Sequence, residues 1–107
     1  NGGAISNING SGFGNLGSNT TTLGLFLSQR TNSSLTTIYQ NNSQIHSHTQ
    51  SSTTPTNSPI YLGRNTVSEY SLRQLAFASF GSSFSSTDRG NLYTAVNSFQ
   101  VSLSRNV

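Results

Sequence analysis

Two histidines are the residues of this sequence best suited to hold a metal. His46 and His48 lie two residues apart in a segment, 44–50, that we predict to be a β-strand. Alternate residues of a strand project from one face, so both imidazoles would share it, and imidazole nitrogens ligate Zn²⁺ and Cu²⁺. A complete site needs further ligands, and no carboxylate lies near this pair in the sequence. We therefore expect two exposed strand histidines and no bound metal.

Acid–base chemistry has few candidates because the chain contains one glutamate and one aspartate, Glu69 and Asp88. A glycosidase pair would need these carboxyl groups about 5–9 Å apart, whereas Asp88 is better placed to cap a helix. No nucleophile-elbow motif accompanies the many serines. The segment Gly10–Gly14 lacks the spacing, the lysine and the following helix of a phosphate loop. The sequence predicts no catalytic residue, no enzyme and no cofactor.

The charge pattern disfavours nucleic acid and membrane partners. The formal net charge of +3 comes from five arginines, spread along the chain, against two acidic residues. Nucleic-acid binding requires a stripe of cations instead. No apolar run approaches the ~20 residues of a membrane-spanning helix. We expect no nucleic acid partner and no membrane span, with the arginines serving solubility and local hydrogen bonding.

Neutral polar side chains beside aromatic rings are typical of glycan recognition. Amide groups bond to sugar hydroxyls, and the apolar faces of sugars stack on aromatic rings. Tyr39, Tyr61 and Tyr70 could supply such rings. The alternative is that each tyrosine lies half in the core with its hydroxyl at the surface. The candidate glycan-binding residues are Tyr39, Asn41, Asn42, Gln44, His46, His48 and Tyr61.

The composition favours a single β-rich domain to hold these residues. The chain has 107 residues, of which only 31% are hydrophobic and 7% charged. Serine, threonine, asparagine and glutamine make up about half of it. Disorder normally combines low hydrophobicity with high net charge, and the second property is missing here. Such a chain suits twisted antiparallel sheets with one neutral, polar face. There is no cysteine, so stability must come from packing or from other chains.

The pattern along the chain predicts an arm, several strands and one helix. Residues 1–19 are rich in glycine and asparagine and predict an irregular arm or bent edge strands. Asn41-Asn42 separates two strand-like runs as a hairpin turn, because asparagine tolerates positive φ. A polar loop is predicted at 51–58. The predicted strands, within 20–81, are Leu23–Leu27, Ser34–Gln40, Gln44–Gln50, Ile60–Leu62 and Leu75–Phe80.

The C-terminal region has the period of an amphipathic helix, which we predict over 85–104. Its apolar residues recur at helical spacing. Ser85 is the predicted N-cap, and Asp88 three residues later resembles a capping box. Gly90 costs the helix about 1 kcal/mol relative to alanine, so docking must hold it. The predicted apolar stripe comprises Leu92, Val96, Phe99 and Leu103.

Five segments of the second half of the chain follow one another in a distinctive order: 60–64, Arg73–Gly81, Phe84–Asp88, Asn91–Gln100 and Leu103–Val107. A strand of the form R-Q-x-A-F-A-S-x-G leads into a capped helix, and the chain ends shortly after an arginine. This order resembles the end of concanavalin A-like (laminin-G-like) jelly-roll domains of bacteriophage structural and tail proteins.

The resemblance implies an antiparallel jelly-roll sandwich with one peripheral helix, in a virion surface or fibre protein. Its expected partners are other copies of itself, other virion proteins and host-surface glycans, at the virion surface or outside the cell. The family's domains usually run longer, so 1–107 is either a short sandwich or the C-terminal part of one, with strands supplied by another chain. The metal ligands of the legume-type members have no counterpart here. A purely structural capsid or filament subunit, a secreted bacterial carbohydrate-binding or adhesin module, and a hydrolase of the same fold remain alternatives.

Overall fold

A computed structural model describes residues 3–6, 14–18, 23–55, 57, 59, 61–62, 70 and 75–105, with side chains from Leu23 onward. Two small antiparallel sheets and one helix account for the regular structure of this part of the chain. The larger sheet has three strands in the order β3–β4–β5: Phe26–Asn32, Leu35–Gln40 and Ser43–Thr49. The predicted mostly β character with a C-terminal helix is therefore confirmed for the described residues.

The central strand β4 carries the buried part of this sheet. Thr36, Thr37 and Ile38 are all buried, and Ile38 is the only buried hydrophobic residue among the described side chains. Directly paired residues share a face of a sheet. One face therefore holds the rows Arg30–Thr36–His48 and Ser28–Ile38–His46, and the other holds Gln29–Thr37–Ser47. Apolar burial is thus confined to one position on the first face.

Side chains close the end of the sheet where β3 meets β4. The Asn32 Oδ1 atom accepts hydrogen bonds from the Ser34 backbone N–H at 2.8 Å and from the Ser34 hydroxyl at 3.1 Å. This local arrangement is the one that favours asparagine at turns. Across the sheet, the Arg30 guanidinium donates to the Gln50 carbonyl at 2.7 Å and to its Oε1 at 3.2 Å. Gln50, which is buried, thereby fixes the chain as it leaves β5.

The N-terminal segment forms a second, two-stranded sheet. Strand β1 (Gly3–Ser6) pairs antiparallel with β2 (Gly14–Ser18), and the register shifts between Gly3 and Ile5. Strand β2 also lies beside β5. Of the two predictions for the glycine-rich arm, bent edge strands are therefore correct for these residues.

Helix α1 spans Ser86–Ser102, close to the predicted bounds. Ser85 is the N-cap, as predicted: its Oγ accepts from the Asp88 backbone N–H at 3.1 Å and donates to Asp88 Oδ2 at 2.7 Å. The predicted docking of the apolar stripe holds only in part. Leu92 and Val96 are partly buried, whereas Phe99 is 54% exposed and Leu103 45% exposed. The C-terminal half of the helix therefore leaves its apolar side chains in solvent.

Among the described residues, two predicted strands are wrong and a third is correct only at its C-terminal end. Leu23–Leu27 is not a strand throughout: Gly24 has a φ of +114°, and β3 begins only at Phe26. Tyr61 and Leu62 follow Pro59 in irregular, exposed chain, while Ile60 lies outside the described residues. Leu75–Phe80 is neither a strand nor buried. Strand propensity needs a pairing partner, and the described part of the chain gives this segment none.

Candidate functional site

The β4–β5 hairpin, which carries most of the candidate residues, turns at Asn41-Asn42 as predicted. Asn41 has a φ of 48° and Asn42 a φ of 68°. Two successive residues with positive φ form the two-residue turn that matches the twist of an antiparallel pair, and asparagine adopts this backbone more readily than most residues. Backbone geometry therefore accounts for both asparagines before any ligand is considered.

The Asn41 side chain binds another part of the same chain. Its Oδ1 accepts from the Leu25 backbone N–H at 2.9 Å, and its own backbone N–H donates to the Leu25 carbonyl at 3.0 Å. Gly24 makes this contact feasible, because a Cβ there would lie 2.5 Å from Asn41 Oδ1. Next to it, the Gln40 side chain donates to the Leu23 carbonyl at 2.8 Å. Asn41 therefore fixes the entry into β3.

The Asn42 side chain instead holds the helix. Its Oδ1 accepts from Arg89 Nε at 3.0 Å. The Arg89 guanidinium carbon lies 3.8 Å from the centroid of the Tyr39 ring, well within cation–π range. One face of that ring is therefore covered by the helix and cannot stack on a sugar. Gly90 follows, where an added Cβ would be 3.5 Å from Asn42 Nδ2.

The two histidines share a face, as predicted, but are only partly exposed. His46 is paired with Ile38 and His48 with Thr36, so both project from the face that carries the buried Thr36 and Ile38. No group of three or more histidine, aspartate, glutamate or cysteine residues among the described residues could hold a metal ion. Asp88, the only described carboxylate side chain, accepts from the N-cap hydroxyl of Ser85. Glu69 lies outside the described residues.

A bulge separates the remaining hairpin candidate from the histidines. Ile38 pairs with His46 but Tyr39 pairs with Gln44, so Ile45 is an extra residue on β5. A bulge of this kind breaks the two-residue alternation of faces. Gln44 is exposed on the face of Tyr39, while His46 and His48 project from the opposite face. Tyr61 lies outside the sheet and is 48% exposed. The seven predicted residues therefore do not form one continuous surface.

Three side chains with structural roles were absent from the sequence-based predictions. Arg89 joins the helix to the hairpin, and the buried Gln29 accepts from the Phe84 backbone N–H at 3.2 Å just before the helix N-cap. Gln50 joins Arg30, as described above. Each contact links residues at least 20 positions apart. No local sequence pattern marks such a pair, so only the folded chain could reveal them.

Comparison with known proteins adds no relative. Neither protein-family models, nor curated proteins, nor solved structures give a match to this chain. Within the described residues, no helix combines the length and the apolar character needed to cross a membrane. The role of the hairpin therefore follows from its contacts alone. It connects the sheet to the Leu23–Leu25 segment and to the N-terminal turn of α1.

Proposed function

We propose that this chain is a non-enzymatic structural module of a virion surface or fibre, and that it functions assembled with other chains. The observation that carries the proposal is the balance between buried and exposed apolar residues. Ile38 alone is buried among the described hydrophobic side chains, whereas eleven large hydrophobic residues are exposed. These exposed residues are Leu23, Phe26, Tyr61, Leu62, Tyr70, Leu75, Phe77, Phe80, Phe99, Val101 and Leu103.

The exposed apolar side chains support association with other chains. Apolar surface that the chain itself does not cover is typical of interaction surfaces in soluble proteins. Assembly would remove from water the side chains that the isolated chain leaves exposed.

The concanavalin A-like sandwich fold is part of the same proposal. A concanavalin A-like jelly roll needs two facing sheets with a shared core. The three-stranded sheet would form part of one layer, and chains assembled around it would complete the sandwich. Support comes from the sequence resemblance over the second half of the chain and from the capped helix that follows 75–81. We place the assembled protein at the virion surface or outside the cell on the same resemblance.

Glycan attachment is the second candidate function, with a smaller site than the sequence predicted. Asn41, Asn42 and Tyr39 make contacts within the chain, which favours an internal role for them. Gln44 is exposed on one face of the sheet and Tyr61 is half-exposed, and we assign the glycan contact to these two surface side chains. His46 and His48 would form a separate patch. Repeated copies in an assembly would raise the avidity of such shallow sites.

Two measurements on the 107-residue chain test the proposal. Sedimentation equilibrium across a wide concentration range should show reversible association, and a glycan array probed with chains displayed on beads should show no binding that depends on Gln44 or Tyr61. A chain that stays monomeric at the highest concentrations and is fully folded would refute the structural role. Array binding that Gln44→Ala or Tyr61→Ala abolishes would establish the attachment role.

A further inference from the structure

The imidazoles of His46 and His48 project side by side from one face of the three-stranded sheet. Strand β5 pairs regularly with β4 over this stretch, with His46 opposite Ile38 and His48 opposite Thr36. The extra residue of β5 precedes His46, so it does not disturb the alternation of faces between the two histidines. Their Cα atoms are therefore about 6.5–7 Å apart along the strand.

The fold makes no polar use of either ring. In the part of the chain that the structure describes, no hydrogen bond, ion pair or ring contact involves His46 or His48. Both side chains are partly exposed, so a small ion can reach them. The polar side chains at the nearby turn differ in this respect, because Asn41 binds Leu25 and Asn42 binds Arg89. The lone pairs of the two imidazoles thus have no internal role among the described residues.

We propose that His46 and His48 chelate one divalent transition-metal cation, of the class of Cu²⁺ and Zn²⁺. Imidazole nitrogens are favoured ligands of these cations. A metal–nitrogen distance of about 2.0–2.1 Å brings the two ligating nitrogens to about 3.4 Å from each other in a tetrahedral site, which two rings that lean together from neighbouring positions on one face can reach. The inference goes beyond the proposed structural role and does not depend on it.

A third protein ligand is not required for this site. Its absence from the sequence near the pair is the reason that we expected no bound metal there, and the described residues supply none. Zinc sites that keep an open position hold water in it, and water can fill the remaining positions here. The expected site is therefore an open two-imidazole chelate.

The surroundings of the pair determine which cation it takes. Arg30 shares a row with Thr36 and His48 on the same face, where its guanidinium donates to Gln50. Asp88, the only described carboxylate side chain, is engaged at the helix N-cap. Ca²⁺ and Mg²⁺ require oxygen ligands and should not bind to two imidazoles beside a positive charge. Among cations that nitrogen binds, Cu²⁺ has the highest affinity, so we expect Cu²⁺ to bind more tightly than Zn²⁺.

Calorimetric titration of the 107-residue chain with Cu²⁺ and with Zn²⁺ tests the site. His46→Gln and His48→Gln should each weaken binding about tenfold or more, because the second ligand no longer acts at high effective concentration. The matched control is the double variant Ser47→His with His48→Ser, which keeps the composition but places the two imidazoles on opposite faces of β5. It should lose as much affinity as His48→Gln does. Circular dichroism checks that each variant keeps its helix.

Two further readouts do not depend on the measured affinity. Electron paramagnetic resonance of the Cu²⁺ complex should show coupling to two imidazole nitrogens in the unaltered chain and to one in His48→Gln. The cation should also raise the unfolding temperature of the unaltered chain more than that of either glutamine variant. Equal affinity in the unaltered chain and the double variant, a spectrum that His46→Gln leaves unchanged, or no binding of either cation would overturn the inference. None of these results bears on self-association, so the proposed structural role would stand or fall separately.

Discussion

Gly24→Ala should destabilise the protein more than the same substitution at Gly81 or Gly90. The backbone at Gly24 has a φ of +114°, and such left-handed conformations cost a residue with a Cβ about 1–2 kcal/mol. The new methyl group would also lie 2.5 Å from Asn41 Oδ1. Moving that side chain away breaks its bond to the Leu25 N–H, a further loss of about 0.5–1.5 kcal/mol. The free energy of unfolding should fall by about 2–3 kcal/mol.

Thermal unfolding followed by circular dichroism, at one fixed protein concentration, measures this loss. It corresponds to a decrease in Tm of roughly 10–20 °C for a domain of this size. Gly90→Ala is the matched control: its Cβ would meet Asn42 Nδ2 at an ordinary 3.5 Å, and helix propensity should raise stability by about 0.5–1 kcal/mol. An Asn41→Gly background removes the clash, so Gly24→Ala should cost less there. Equal costs in both backgrounds would refute the contact between Gly24 and Asn41.

Three further predictions concern contacts around the sheet and helix. Arg89→Lys should lower the unfolding free energy by about 1 kcal/mol, because lysine keeps the charge but loses the planar stacking on Tyr39; urea unfolding checks it, and a loss of the same size in a Tyr39→Leu background would contradict the stacking. Ser85→Ala should cost about 1 kcal/mol and Ser85→Asn much less, as measured by helical ellipticity on heating. Thr36→Val should stabilise the protein by up to about 1 kcal/mol, because the Thr36 hydroxyl is buried without a hydrogen-bond partner; a destabilised Thr36→Val chain in a calorimetric scan would contradict that reading.

Features with a local physical cause were predictable from the sequence. The Asn41-Asn42 turn follows from the tolerance of asparagine for positive φ, and both residues adopt it. The helix follows from a cap, Ser85 with Asp88, together with apolar residues at helical spacing. In both cases the cause lies within a few residues, so no knowledge of the rest of the fold is needed.

Features that depend on distant parts of the chain were not predictable. The apolar run at Leu23–Leu27 has strand composition, but the bond between Asn41 and Leu25 determines where β3 begins. The extra residue Ile45 in β5 puts Gln44 and His46 on opposite faces of the sheet, which the simple alternation of side chains along a strand does not predict. Leu75–Phe80 has strand composition without a partner in the described residues. Composition reports propensity, whereas pairing decides whether a strand forms.

The same distinction changes the meaning of the amide-rich composition. Asparagine and glutamine suggested a surface suited to sugars, yet several of their side chains join separate parts of this chain: Asn41 binds Leu25, Asn42 binds Arg89 and Gln29 binds Phe84. Each such bond contributes about 1 kcal/mol net to stability. These amide groups therefore fix positions within the chain, and they are not evidence for a ligand. With one buried hydrophobic side chain among the described residues, these bonds set the geometry of the described chain. The assembly that we propose would supply the apolar contribution to its stability. Its unfolding temperature should therefore rise with protein concentration, as for any fold that is stabilised by its own association.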